Sequence, residues 1–346
     1  MAIISSMTEY EYPLVTMYVI SYNQEKFAGA AVEAALLQDY PNLEIIISDD
    51  CSTDKTWDEI LRIADHYHGP HKLILNRNTY NLGIGEHINR VLKMASGDII
   101  VASAADDISR SDRCRKLVVE FQKSGHDLKL VWSTFREIDE EGNVILQQSE
   151  YHPKPPAMED ILKMKHMPLG ACMAFKKELA QRFPPMNQVC VLEDHVFSYR
   201  ATLLGYLKQI NDPLVDYRIS KNSITHFGHV SKDELLKKQR RGYLNSLFSR
   251  MNFIQDTFWI EYNEPDVFSR SEMGKIRKMF WERINFVYLY ILFPEKVLKK
   301  TRKSLARERK RSRWYRRRLA VLKSMIGDRS YLLIRECWRK LIKKID

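Results

Sequence analysis

Three acidic pairs stand where apolar runs end. Asp49 and Asp50 follow "LEIIIS", Asp106 and Asp107 follow "GDIIVASAA", and Glu193 and Asp194 follow "CVL". Adjacent carboxylates repel, so a chain that keeps them together must supply a cation, hydrogen-bond donors or a proton. Carboxylate oxygens are hard ligands suited to magnesium or manganese, and a carboxylate set beside a hydroxyl can take its proton. The competing use is structural: an acid at a helix start caps free N–H groups and meets the positive end of the helix dipole.

The segments around these pairs alternate between two periods. "LVTMYVISY" (14–22), "LEIIISDD" (43–50), "HKLILN" (71–76) and "GDIIVASAADD" (97–107) are β-branched or aromatic runs and predict strands, two of them ending on acids. Between them, Phe27, Ala31, Ala34 and Ala35 share one helical face, as do Trp57, Ile60, Leu61 and Ala64, and Ile84, Ile88, Val91, Leu92 and Ala95. This order predicts an α/β fold with a mostly parallel, Rossmann-like sheet and helices on both faces. Ligands of such sheets bind beyond the carboxyl ends of the strands, where both strand-end acidic pairs fall. Residues 111–230 read as mixed, with strands expected in "KLVWSTFR" (129–136), "CMAFKK" (172–177) and "LVDYRI" (214–219) and a long loop at 147–168. From about 231 the pattern is helical and increasingly basic.

Length and composition set the frame. The 346 residues suffice for one large domain or two ordinary ones, and a 45% apolar content supports a sizeable core. Five scattered cysteines without a C-x-x-C pair argue against a zinc knuckle or disulfide scaffold and suit a reducing, cytoplasmic setting. No basic leader with an apolar core opens the sequence, so no secretory signal is expected. Residues 296–346 hold 20 Lys+Arg against 4 Asp+Glu, a net of +16 where the whole chain carries +11, so residues 1–295 carry −5. The positive charge belongs to a tail, and the body is mildly acidic.

The ordered set "PLVTMYVISYNQEKF", "QDYPNLEIIISDDCSTDKT" and "NLGIGEHINRVLKMASGDIIVASAADDISRSDR" resembles glycosyltransferase family 2, over roughly the first 230 residues. Order and multiplicity make this stronger than any lone motif. The resemblance implies the nucleotide-binding GT-A fold and inverting transfer of a sugar from a nucleotide-diphosphate donor to an acceptor hydroxyl. It assigns Asp50 to the donor's base or ribose, with Ser21, Tyr22, Asn23 and Glu25 in the same site; helix capping by Asp49 and Asp50 stays open beside it. "AADDI" occupies the place of the family's D-x-D motif. Asp106 and Asp107 become the ligands of a divalent cation (Mn²⁺ or Mg²⁺) on the donor diphosphate, while Ala104 stands where the first acid is usual. "LEDHVF" (192–197) places the general base at Asp194, with Glu193 beside it, and an inverting transfer needs only that one base. "PLGACMAF" (168–175) matches the acceptor-lining segment, giving Gly170 and Ala171. In "LVDYRISKNSIT", Ser220 replaces a common histidine, and His226 and His229 are nearby. Arg113 could approach a phosphate but reads as a solvated helix residue.

The expected organisation is a transferase domain over 1–230, with a donor half at about 10–110 and an acceptor half at about 111–230, followed by a basic helical region at 231–346. "INFVYLYILF" (284–293) is half the length of a bilayer span. In the tail Ile334, Trp338 and Leu341 share a helical face among basic residues, which fits docking on an anionic membrane surface or a solvated helical bundle. The first reading makes the protein peripheral on the inner face of the cell membrane, in surface polysaccharide synthesis, with a glycan or lipid-linked glycan as acceptor. Nucleic acid as partner explains the tail but neither strand-end acidic pair. An inactive family member acting as a scaffold is the other rival, favoured by Ala104 and Ser220 and opposed by Asp106 and Asp194.

Overall fold

The computed structural model describes residues 12–220, 232–265, 268–269 and 271–278, all within the compact unit spanning 1–284. Strands Val15–Ser21 (β1), Leu43–Asp49 (β2), Lys72–Arg77 (β3) and Ile99–Ala104 (β4) alternate with helices Ala28–Leu36 (α1), Thr56–Ala64 (α2) and Ile84–Met94 (α3). The four strands pair in parallel in the order β3-β2-β1-β4. β1, β2 and β4 are buried along nearly their whole length, as strands covered on both faces must be.

Side chains alternate between two cores. Tyr18, Ile46, Ile100 and Ala102 point to one face, with Ile88 and Val91 of α3. Met17, Val19, Ile45, Ile47 and Val101 point to the other, against Val32 and Ala35 of α1 and Ile60 and Ile63 of α2. The second half adds Ile108–Ser109 (β5), Arg113–Ser124 (α4), Leu128–Ile138 (β6), Val144–Leu146 (β7), Met158–Leu162 (α5), Met173–Lys176 (β8), Glu178–Gln181 (α6), Glu193–Leu204 (α7), Tyr206–Arg218 (β9) and Lys232–Asn263 (α8). β8 joins β4 antiparallel, and β6, β9 and β5 continue the sheet beyond it. The sheet is therefore parallel across its first four strands and mixed thereafter.

Register and strand order place the functional end. Ser21 aligns with Asp49 and Ile20 with Ala104, so the loops after β1, β2 and β4 leave the sheet together. Chain order runs outward from β1 through β2 to β3, then reverses to β4. That reversal opens a crevice between the β1 and β4 ends, where open α/β sheets bind ligands.

Three expectations change. The loop expected over 147–168 contains α5, whose Ile161 and Leu162 are buried; Asp160 Oδ2 accepts the Ala157 N–H at 3.1 Å and starts the helix directly after the prolines. β4 ends at Ala104, so Asp106 and Asp107 lie in the turn beyond it. Arg113 is fully buried instead of solvated. Its Nη2 donates to the carbonyls of Ala102 at 2.7 Å and Ala171 at 2.6 Å, tying β4 to the segment before β8.

α8 shares the first core through Phe253 and Ile260. Arg200 of α7 donates from Nε to Asp256 Oδ2 at 2.8 Å and from Nη2 to Oδ1 at 3.0 Å, both side chains buried. α8 thus packs into the body that precedes residue 230. Among the described residues no helix is long and apolar enough to cross a membrane. The apolar run 284–293 and the tail 296–346 lie outside the described residues.

Candidate active site

The loops after β1 and β2 are laced together by their polar side chains. Asn23 adopts a left-handed backbone (φ 53°), which asparagine tolerates. Its Oδ1 accepts the Thr53 N–H at 2.9 Å, and its own N–H donates to Ser52 Oγ at 2.9 Å. The Gln24 N–H donates to Thr56 Oγ1 at 2.7 Å, Glu25 N–H to Asp54 Oδ2 at 3.1 Å, and Lys55 N–H to Glu25 Oε2 at 3.1 Å. The loop 23–27, held by the polar turn "CSTDKT" and joined by its Asp54, thereby forms one wall of a pocket of about 410 Å³, within the usual range for small-ligand sites.

Two strand-end acids hold that wall from behind. Asp49 accepts the Ser52 N–H at 2.9 Å and Ser21 Oγ–H at 3.1 Å, and pairs with Arg77 at 3.5 Å. Asp50 Oδ1 accepts Asn78 Nδ2–H at 2.8 Å and Leu82 N–H at 2.9 Å, and Oδ2 accepts Gly83 N–H at 2.9 Å. Asp50 therefore caps the approach to α3 and is only 3% exposed. Three of a carboxylate's roughly four acceptor positions are thus taken.

The second acidic pair lines the pocket at the end of β4. Asp107 Oδ1 accepts the Arg218 N–H at 2.9 Å, while its Oδ2 is buried with no hydrogen-bond partner. Asp106 Oδ2 accepts from Gln24 Nε2 at 3.4 Å. Burial raises the Asp106 carboxyl above its ordinary value; burial and then the charge of Asp106 raise Asp107 further. Arg218 braces the backbone around the pair. Its Nε donates to the Asp106 carbonyl at 3.0 Å and its Nη1 to the Asp139 carbonyl at 2.7 Å, and the guanidinium lies 4.6 Å from the Phe27 ring centroid.

The opposite wall is the start of α7. Glu193 and Asp194 occupy its first turn, and Asp194 Oδ1 accepts the His195 N–H at 2.8 Å. Burial, then the neighbouring Asp194, push the Glu193 carboxyl up to about 8. The short 3₁₀ turn Gly170–Cys172 faces this helix start. A Cβ on Gly170 would fall 2.5 Å from Glu193 Oε1, so glycine leaves the room that this carboxyl occupies. Gly85 does the same for the segment before α7: a Cβ there would stand 2.9 Å from the carbonyls of Asn187 and Cys190.

Of the sequence-derived candidates, Asn23, Glu25, Asp106, Asp107, Gly170, Ala171, Glu193 and Asp194 meet on one pocket, as do Ala104 and Ser220. Ser21, Tyr22 and Asp50 do not line it; Tyr22 is 45% exposed at the surface. His226 and His229 lie outside the described residues. The structure adds Gln24, Lys26, Asp54, Glu140 and Tyr217 to the lining. Gln24, Lys26, Asp54 and Tyr217 lie within the quoted segments, but nothing in their spacing singles them out. Among the described residues no group of three or more His, Cys, Asp or Glu is arranged to hold a metal ion.

Comparison with known proteins agrees with this architecture. Residues 16–183 match the model of Glycosyl transferase family 2. The chain is 37% identical to Escherichia coli chondroitin synthase over 144 residues, which are 41% of this chain and 20% of that protein. It is 26% identical over 273 residues to an uncharacterized glycosyltransferase of Haemophilus influenzae, covering 73% of this chain and 81% of the relative. It is 42% identical over 94 residues to the E. coli UDP-Glc:alpha-D-GlcNAc-diphosphoundecaprenol beta-1,3-glucosyltransferase WfaP, 27% of this chain and 36% of that one. The chain therefore spans about a fifth of the chondroitin synthase and about a third of WfaP. In fold it resembles residues 1–349 of S. aureus TarS in complex with UDP, with a TM-score of 0.51 at 18% identity over 82% of each chain. Residues 16–183 are thus a domain of glycosyltransferase family 2, carried on a sheet of the GT-A type.

Proposed function

We propose that the chain moves a sugar from a nucleotide-diphosphate donor to an acceptor hydroxyl in one displacement with inversion. The observation that carries this reading is the meeting of Asp106 and Asp107 with Glu193 and Asp194 across a single pocket at the β1/β4 crevice. The acceptor oxygen forms its bond to the anomeric carbon as the bond to the donor's phosphate oxygen breaks. The electron pair leaves with the diphosphate, and the hydroxyl proton passes to Asp194. The loop wall of Asn23 and Glu25 lies on the donor side, and Asp50 serves that side from behind by holding the turn before α3. Gly170, Ala171 and Glu193 border the acceptor.

The residues present fit a divalent cation. Asp107 Oδ2 is a buried oxygen without a partner, and both carboxyls are pushed up by burial, Asp107 also by the charge of Asp106. One or two carboxylates, completed by substrate phosphates, are the usual protein share of a magnesium-type site. Asp106 and Asp107 would hold the ion, which supplies charge neutralisation to the departing diphosphate.

Surface polysaccharide synthesis is the setting that relatives such as WfaP and the chondroitin synthase support, with a glycan or lipid-linked glycan as acceptor. The basic segment 296–346 would hold the protein at the anionic inner face of the membrane. The test uses UDP-glucose and UDP-GlcNAc with Mn²⁺ and a synthetic GlcNAc-diphospho-lipid. Asp194→Asn should bind donor as the wild type does and transfer roughly 10²–10⁴-fold more slowly. Transfer near the wild-type rate would place the base elsewhere.

A further inference from the structure

Two carboxyls share the first turn of α7, yet a single displacement uses one base. Their surroundings differ. Asp194 has the His195 N–H at 2.8 Å to support a negative charge. Glu193 lies flat against Gly170, with its Oε1 where a Cβ would clash, and the neighbouring lining is apolar through Leu169, Val191 and Leu192. Burial and then Asp194 raise its carboxyl, outweighing the lowering effect of its own backbone N–H. The titratable groups that face it are Asp194 on its own helix, Tyr18 on β1 and Cys190 on the segment before α7, and Arg113 stands beside Tyr18. Tyr18 is raised by burial and then by Glu193, and Cys190 is pushed up to about 12, so both stay neutral at ordinary pH. A charge on Glu193 would therefore face a second carboxylate in an apolar setting, which favours keeping its proton.

We propose that Glu193 acts as a protonated carboxylic acid, donating a hydrogen bond to an acceptor oxygen beside the attacking hydroxyl while Asp194 is the sole base. The acceptor it recognises is one that offers a second oxygen, hydroxyl or carbonyl, next to the one that reacts. This rests on the transferase reading for the acceptor's identity, but the protonation state can be measured without it. The proton is present below about pH 8 and lost above it. Acceptor binding should therefore hold through neutral pH and weaken on the alkaline side, as the donor disappears and a repelling charge replaces it.

The test has two arms on the full-length protein. Infrared difference spectra taken between pH 6 and pH 10 should show, in the wild type, loss of a protonated-carboxyl band with a midpoint near 8 that Glu193→Gln lacks. With UDP-glucose and the GlcNAc-diphospho-lipid, Glu193→Ala should raise the acceptor KM about tenfold or more, the scale of a lost charge-free hydrogen bond in a closed site. Glu193→Gln, which keeps an N–H donor, should recover most of that loss and show no alkaline decline. A Glu193 midpoint in the ordinary range near 4.3, or a Gln variant as impaired as Ala, would overturn the proposal. Loss of turnover in both Glu193 variants with transfer retained in Asp194→Asn would make Glu193 the base and overturn it equally. If the wild type transfers nothing to this probe, the acceptor reading fails and the infrared arm decides Glu193 by itself.

Discussion

At the scale of residues, identical side chains differ because their neighbours differ. Asp49 and Asp50 are both buried at the end of β2, yet their oxygens are occupied by the chain's own N–H and O–H groups. Asp107 keeps an oxygen with no partner. Sequence marks all three pairs by residue type and position, but which acids are already satisfied depends on turns that close 28 to 33 residues away, such as the bonds from Asn78 and Gly83 to Asp50. That explains why Asp50 was legible as an acid at a strand end and its place outside the pocket lining was not. Glu193 carries a stability consequence. A carboxyl raised from 4.5 to about 8 on folding keeps a proton that the unfolded chain has released across that window. Folding then binds more protons than unfolding, so this group weakens the fold as pH rises from about 4.5 to about 8. Glu193→Gln should melt above the wild type at pH 8, with the gap closing toward pH 4.5. Melting curves offset by a constant amount at every pH would contradict the assignment.

At the scale of elements, β1 to β4 and α1 to α3 were legible because each carries a clean period of two or 3.6 and a polar turn on either side. α5 was hidden behind three prolines, and Arg113 was misread because an arginine opening an amphipathic helix usually points to water. Here it satisfies carbonyls of β4 and of the turn before β8, a contact that only the folded chain supplies. α8 matters most for where the catalytic body ends. Ending the chain at residue 230 would expose the partners of Phe253 and Ile260, each worth about 1.5–3 kcal/mol when buried. It would also leave Arg200 buried without Asp256, a loss of about 3–5 kcal/mol. Together these rival the whole stability of a typical domain, about 5–15 kcal/mol. A chain of residues 1–230 should therefore be insoluble or lack a cooperative melt, while residues 1–284 should melt cooperatively. A soluble, cooperatively folding 1–230 fragment would show that α8 is dispensable.

At the scale of the whole molecule, charge is divided between a mildly acidic body and a strongly basic segment at 296–346. Each basic residue near an anionic bilayer contributes on the order of 1 kcal/mol, weakened by salt within a Debye length of about 8 Å. The full chain should sediment with phosphatidylserine-containing vesicles at low salt and release at high salt, and a chain of residues 1–284 should not bind them. Equal binding by both would remove the tail from membrane docking. Among the described residues, by contrast, the pocket lining ends at Ser220, so donor binding should survive that truncation. Calorimetric titration of UDP-glucose and UDP-GlcNAc, with and without Mn²⁺, tests the central claim most directly when wild type, Asp106→Ala and Asp194→Asn are compared. The expected result is Mn²⁺-dependent binding of one donor to the wild type and Asp194→Asn, and its loss in Asp106→Ala. Donor affinity that is unchanged by Mn²⁺ in the wild type and unaltered in Asp106→Ala would contradict it.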